Sequence, residues 1–228
     1  MTVVIYMLDI EELDPDGRDW SAQLTAGRVS AASCFRQKQD RARCVGAGLL
    51  LAHAVGRHHP GHPVPPREEK DCHGKPWLPD LPDFYFNISH SGKWVVCAVG
   101  DCPLGVDIEQ IRKDMMDVAR RFFSSSEQNF LRTIPEENRQ SAFTELWVLR
   151  ESYMKATGLG LSMNLKDLEV HVGPPVVVRN QGRKVPYGLA LCKLDDPGYR
   201  LGLAVRGVQS FPAYRIEQVS LSTLLKGF

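Results

Sequence analysis

The sequence predicts an α+β fold of two similar lobes in a pseudo-twofold arrangement, each a long helix packed on a small antiparallel sheet. Two segments carry apolar residues at helical spacing, and short alternating segments typical of strands follow each of them. GKWVVCAVG from Gly92 and GYRLGLAVR from Gly198 share glycine, apolar alternation and Ala-Val in register, which indicates a repeat. The predicted division is therefore 1–102 and 103–228, with the functional site between the lobes.

Composition indicates a globular protein and excludes several classes of partner. Of the 228 residues, 43% are hydrophobic and 24% are charged, which is ordinary for a chain with a substantial core. The formal charge of +1 lacks the basic excess with which nucleic-acid-binding proteins gather phosphates. No segment of the sequence approaches the eighteen or so consecutive apolar residues that a transmembrane helix needs. The first ten residues, MTVVIYMLDI, are predicted to form a strand and not a signal peptide. We expect a cytoplasmic monomer.

In the first lobe the predicted helix covers Gln37 to Gly56, because Ala42, Val45, Leu49 and Ala52 recur at helical spacing. Seven prolines between positions 60 and 82 predict a surface loop that holds only a short strand at Lys75 to Trp77. Two strands of a hairpin follow it, and Ser-His-Ser-Gly is predicted to be the turn between them. These strands are Phe84 to Ile88 and Trp94 to Val99.

In the second lobe the predicted helix covers Gln140 to Thr157, with glycines at 158 and 160 as its stop. A short strand, Leu104 to Glu109, precedes it. The strands predicted after the helix are Leu168 to Val172, Val176 to Arg179, Gly188 to Lys193 and Arg200 to Val205.

Two carboxylates and a helix face are the first candidates for chemistry. Asp107 and Glu109 are two residues apart on a predicted strand, so both point to the same face, and such oxygen ligands suit Mg²⁺ that also binds substrate phosphates. A solvated acidic strand edge explains the same two residues. Trp147, Glu151 and Lys155 share one face of the second helix, where a surface ion pair is the simpler explanation.

The segment NISHSG, at 87–92, offers serine hydroxyls, a histidine and a glycine turn that suit the binding of a phosphate. A serine hydrolase is a weaker interpretation, because the GxSxG elbow is missing and adjacent side chains in an extended segment point apart. GLGL, from Gly158 to Leu161, follows a helix and does not open one, which favours a helix cap over a nucleotide loop.

Five motifs in one order resemble the 4′-phosphopantetheinyl transferases, and most closely the two-lobed, broad-substrate subgroup, Sfp-type. The similarity runs from about Phe35 to about Leu161. The motifs are GKP at 74–76, FNISHSG at 86–92, GVDIE at 105–109, RFFSSSE at 121–127 and WVLRESYMKATGLGL at 147–161.

The resemblance implies transfer of 4′-phosphopantetheine from coenzyme A to a serine of an acyl or peptidyl carrier protein, with release of 3′,5′-ADP. It implies that Asp107, Glu109 and Glu151 hold Mg²⁺ against the pyrophosphate. Lys155 would be the catalytic cation at the phosphates. Because a serine hydroxyl is a poor nucleophile at neutral pH, a carboxylate must accept its proton, and Glu151 is the candidate for this catalytic role. The residues expected at the phosphates or the adenosine end are Arg28, Lys75, Ser89 and His90. Family members carry a second basic residue where this chain has Ala31.

Two other functions fit part of the pattern. A metal-dependent nuclease could use the two strand carboxylates with a nearby lysine, although the near-neutral charge counts against it. A binding lobe that holds coenzyme A without turnover is the other alternative, and the presence of all three carboxylates with Lys155 counts against it.

Overall fold

The computed structural model describes residues 2–17, 19–113, 115–160, 163–173, 175–208 and 212–226. Its helices are α1 (Ala26–Ser33), α2 (Lys38–His58), α3 (Met116–Phe122), α4 (Ser125–Thr133), α5 (Glu136–Thr157) and α6 (Leu221–Leu225). Its strands are β1 (Val3–Asp9), β2 (Glu69–Lys70), β3 (Pro76–Trp77), β4 (Tyr85–Ser91), β5 (Trp94–Gly100), β6 (Leu104–Gln110), β7 (Leu168–His171), β8 (Val177–Asn180), β9 (Arg183–Lys184), β10 (Tyr187–Cys192), β11 (Tyr199–Arg206) and β12 (Tyr214–Gln218). The predicted α+β class is confirmed.

The chain forms two compact units, Met1–Asp101 with Tyr214–Phe228, and Cys102–Ala213. This division differs from the predicted one, 1–102 and 103–228, at the C terminus. The reason is the pairing of β12 with β1, in which Tyr214 lies opposite Val3 and Gln218 opposite Met7. The hydrogen bond from the amide of Val219 to the carbonyl of Met7 extends this attachment.

The first unit has α2 against a four-stranded sheet of order β12-β1-β5-β4. The sheet is not wholly antiparallel, because β1 and β12 run in the same direction. Consecutive α2 residues from Gly46 to Val55 are all buried, so both faces of this helix are covered over much of its length. Its apolar side chains share one core with β1, β4 and β5.

The turn between β4 and β5 is shorter than predicted. Ser91 pairs with Trp94, so only Gly92 and Lys93 remain in the turn, with Gly92 at a φ of 54°. A two-residue hairpin turn with glycine first suits the twist of the flanking strands. Ser89 and His90 therefore belong to β4 and not to a phosphate-binding turn, which corrects the sequence-based expectation.

The second unit is organised by α5 and the antiparallel sheet β10-β11-β6, with a separate small sheet β7-β8-β9. Two glycines let the helix backbone lie directly on the strands. A Cβ at Gly105 would lie 2.1 Å from the carbonyl oxygen of Ser152, and one at Gly202 would lie 2.4 Å from that of Val148. The side chains on the Gly105 face of β6 are consequently held against α5.

Gly105→Ala is expected to destabilise the protein by about 1–3 kcal/mol, because a methyl group would push backbone against backbone at this contact. Urea unfolding measures the change. Gly27→Ala is the matched control, since a Cβ there meets nothing within 4 Å and alanine favours the helical conformation of α1. Equal stability of the two variants would show that α5 tolerates a shift away from β6.

Sequence periodicity located the long elements well. Both predicted helices and all the predicted strands occur, with α5 beginning four residues earlier than expected. Leu161, the last residue of the final motif, lies outside the described residues. Among the helices that the structure describes, none is long and apolar enough to span a membrane.

Candidate active site

The two strand carboxylates occupy the face of β6 that meets α5. Gly105, Asp107 and Glu109 alternate along the strand and so share one face, and Gly105 lies directly against the backbone of α5. Asp107 is only 4% exposed, whereas Glu109 is partly exposed at the end of the strand. The two carboxylates therefore point to one face, as the spacing predicted, and Asp107 is buried on that face and not solvated.

Lys155 joins the helix to the strand. Its ammonium Nζ donates to Asp107 Oδ1 at 2.6 Å and to the carbonyl of Val106 at 3.3 Å. The lysine comes from the last turn of α5, where Gly158 at a φ of 73° ends the helix. The cation therefore lies at the carboxylate face of β6.

Glu151 lies one helical turn before Lys155 and takes part in the same cluster. Burial raises the pKa of its carboxyl group, and the charge of Asp107 raises it further. Glu109 acts in the same direction, while Lys155 opposes it. Three carboxylates and one ammonium thus influence each other, and Glu151 has a greater proton affinity than an ordinary glutamate.

Aromatic packing holds α5 in place at Trp147, one helical turn before Glu151. Trp147 is stacked on Phe143 with a centroid distance of 6.0 Å and an interplanar angle of 13°, and on Phe123 at 6.2 Å and 25°. Phe123 is a core residue, 2% exposed. The indole therefore ties α5 to the segment between α3 and α4.

The carboxylates suit Mg²⁺ by their chemistry, although they are not prearranged as a complete ligand set. Within the described ranges, no three His, Cys, Asp or Glu side chains form a group that could hold a metal ion. Burial first and the charges of Asp107 and Glu109 second raise the pKa of Glu151, and a bound cation would relieve the repulsion among these carboxylates. Hard oxygen donors of this kind match the preference of Mg²⁺.

The four residues expected at the coenzyme all belong to the first unit, in different settings. Ser89 is 6% exposed and its neighbour His90 is exposed, since adjacent strand residues face opposite ways. Lys75 precedes β3, and its burial lowers the pKa of its ammonium, which the charge of Asp71 partly offsets. The guanidinium of Arg28 is already engaged, because it donates through Nε and Nη2 to the two carboxylate oxygens of Glu68.

One functional neighbour went unrecognised in the sequence. Arg150, next to Glu151, is buried with Glu127, and its Nη1 lies 2.7 Å from both carboxylate oxygens. The Ser-x-x-Glu spacing of Ser124 and Glu127 was a usable signal, because the two form a capping box at the start of α4. Nothing in the sequence pattern showed that the Arg150 side chain points into the core.

Comparisons with known proteins identify the family of this chain. The 4′-phosphopantetheinyl transferase superfamily profile matches residues 103–204, which include β6 and α5. A 4′-phosphopantetheinyl transferase of Bacillus subtilis is 33% identical over 184 residues, covering 75% of this chain and 82% of the relative.

Two further relatives extend the comparison. 4′-Phosphopantetheinyl transferase Sfp of Bacillus subtilis strain 168 is 33% identical over 171 residues, covering 74% of this chain and 76% of the relative. HetI, a 4′-phosphopantetheinyl transferase of Nostoc, is 29% identical over 178 residues, with 75% of each chain covered. The chain therefore belongs to the 4′-phosphopantetheinyl transferase superfamily, as an enzyme of the Sfp type.

Proposed function

We propose that the protein transfers 4′-phosphopantetheine from coenzyme A to a serine hydroxyl of an apo acyl or peptidyl carrier protein and releases 3′,5′-ADP. The observation that carries the proposal is the cluster of Asp107, Glu109, Glu151 and Lys155 at the contact of β6 with α5. Carboxylates that can bind Mg²⁺, together with a nearby lysine, suit a reaction that breaks a pyrophosphate bond.

The serine hydroxyl is a weak nucleophile at neutral pH and must lose its proton as it attacks. Glu151 is the proposed acceptor, directly or through a water molecule, because burial and neighbouring carboxylates raise its proton affinity. The serine oxygen forms a bond to the β-phosphorus of coenzyme A, and the bond from that phosphorus to the bridging oxygen breaks. The bridging oxygen keeps the electron pair and leaves on 3′,5′-ADP.

Charge that develops on the leaving group requires fixed cations nearby. Lys155 is proposed to exchange its hydrogen bond with Asp107 for one to a phosphate oxygen, since its ammonium is partly exposed and within reach of that face. Asp107, Glu109 and Glu151 are the proposed ligands of Mg²⁺, which would supply further positive charge at the pyrophosphate.

Lys75, Ser89, His90 and Arg28 are proposed to contact the phosphates or the adenosine end of coenzyme A. Burial lowers the pKa of the Lys75 ammonium, which supports this assignment, because a buried ammonium is stabilised by an approaching anion.

The reaction is tested by chromatography of 3′,5′-ADP after incubation with apo carrier protein and coenzyme A. Release should require the carrier serine, so a carrier with alanine at that position serves as the control. Equal release with the alanine carrier would show hydrolysis of coenzyme A and would contradict the proposal.

The carrier is expected to contact the segment at the start of α3. Met115 and Met116 are partly exposed and pack against the core of the second unit, whereas Phe123 is buried and is not available for docking. Replacing both methionines by Asp is expected to raise KM for the carrier several-fold and leave coenzyme A affinity unchanged, because Met is an adaptable anchor for an apolar helix face.

Steady-state kinetics at varied carrier concentration measures this effect, after circular dichroism has established that the variant is folded. Phe130→Asp is the matched control, since this exposed apolar residue lies on α4. An unchanged carrier KM in the folded methionine variant would place the docking surface elsewhere.

A further inference from the structure

Arg28 and Glu68 form a two-point ion pair within the first unit. Arg28 Nε donates to Glu68 Oε1 at 2.9 Å, and Nη2 donates to Oε2. The two side chains are only 17% and 19% exposed, so this pair is screened by water less than the ion pairs on the surface. Paired N–H donors facing a carboxylate are a strong form of charge-assisted hydrogen bond.

The stem of Arg28 is held in place as well. It crosses α2 at Gly48, where a Cβ would lie 2.3 Å from Arg28 Cδ and 2.5 Å from Leu24 Cδ2. Thr25 caps α1 by accepting a hydrogen bond from the Arg28 amide at 3.2 Å, which fixes the backbone at the root of the side chain. Contacts with α1 and α2 thus position the guanidinium in addition to its ion pair with Glu68.

Glu68 compensates most of the desolvation that burial imposes on the Arg28 guanidinium. Burial lowers the pKa of Arg28, but the hydrogen bonds and charge of Glu68, with a smaller contribution from Cys44, outweigh burial and raise that pKa. A phosphate that binds the Nε–Nη2 edge of this guanidinium must therefore displace the carboxylate that already occupies it. Arg28 is also the single basic residue of α1, AGRVSAAS, so that helix offers no second cation.

We propose that Glu68 is a specificity-determining residue that competes with the 3′-phosphate of coenzyme A for Arg28. This proposal rests on the proposed function, which places Arg28 at the coenzyme. Its consequence is that the enzyme discriminates weakly between coenzyme A and dephospho-coenzyme A, which lacks that phosphate.

Calorimetry of coenzyme A and dephospho-coenzyme A with the wild-type protein and Glu68→Gln tests the proposal. The wild type should bind the two compounds within about threefold of each other. Glu68→Gln should increase the preference for coenzyme A on the order of tenfold, because a charge-assisted hydrogen bond becomes available to the phosphate. Glu69→Gln is the matched control, since Glu69 is the next residue and pairs with Arg67 instead.

A double variant keeps the test independent of any general effect of Glu68→Gln. Adding Arg28→Gln to Glu68→Gln should remove the gained preference, whereas a gain that persists without Arg28 would overturn the proposal. An unchanged preference in Glu68→Gln would overturn it too. Transfer assays on the same samples distinguish failure of the Glu68 proposal from failure of the proposed function. Intact transfer with an unchanged preference refutes only the role of Glu68. Absence of coenzyme A binding refutes both the role of Glu68 and the proposed function.

Discussion

Replacing Glu151 by Gln or Asp107 by Asn is expected to abolish phosphopantetheine transfer without unfolding the protein. Glu151→Gln removes the proposed proton acceptor, and a group in that role contributes about 10²–10⁴-fold to a rate. Asp107→Asn removes the anion that holds the Lys155 ammonium at 2.6 Å and one proposed metal ligand. Both changes preserve side-chain shape, so the comparison isolates charge and proton affinity.

The measurement is the single-turnover rate at saturating coenzyme A and carrier, with circular dichroism as the check on folding. Glu137→Gln is the control, because this exposed glutamate lies on the first turn of α5, far along the helix from Glu151. Transfer should also stop in excess EDTA and return when Mg²⁺ is added. Wild-type rates in either site variant would contradict the assignment of the active site. Wild-type rates in excess EDTA would contradict the requirement for Mg²⁺.

Arg150→Met is expected to lower the free energy of unfolding by about 3–5 kcal/mol, because it leaves Glu127 as an uncompensated buried charge. The side chains of Arg150 and Glu127 are 2% and 1% exposed. Besides Glu127, the guanidinium bonds to the carbonyls of Leu168 at 2.8 Å, Phe122 at 2.9 Å and Leu165. The pair thus ties α5 to the start of α4 and to the segment that leads into β7.

Urea unfolding of Arg150→Met and of the double variant with Glu127→Met provides the test. The double variant should recover much of the loss, since replacing both charges by apolar groups removes the unpaired carboxylate. Arg200→Met is the control, because its ion pair with Glu145 on α5 is 28% exposed on each side, so that solvent can hydrate Glu145 when its partner is lost. A loss in Arg150→Met no greater than in this control would contradict the account of the buried pair.

The sequence-based predictions succeeded where local patterns decide the structure. Apolar residues at steps of three and four located α5, and alternation along β6 placed Asp107 and Glu109 on one face. Contact of that face with α5 was implied by the family resemblance and not by spacing. The structure supplies its physical basis, since Gly105 and Gly202 allow close approach of the helix backbone.

Features that depend on distant segments were not predictable in this way. The parallel pairing of β12 with β1 joins residues about two hundred positions apart, and no local signal specifies it. The ion pair of Arg28 with Glu68 depends on how the proline-rich loop folds back on α1. Because most charged side chains are exposed to solvent, the sequence alone does not show which of them are buried as a pair. The assignment of Ser89 and His90 to a turn was wrong because glycine alone, and not the serines before it, sets where this hairpin reverses.

The intact mass of an apo carrier protein, after incubation with this enzyme, coenzyme A and Mg²⁺, shows whether phosphopantetheine is transferred. The carrier should gain the mass of one phosphopantetheine group on its serine, with release of an equal amount of 3′,5′-ADP. A carrier of unchanged mass would contradict it. In that case bound but unconsumed coenzyme A would indicate a binding protein, and cleavage of added nucleic acid would indicate a nuclease.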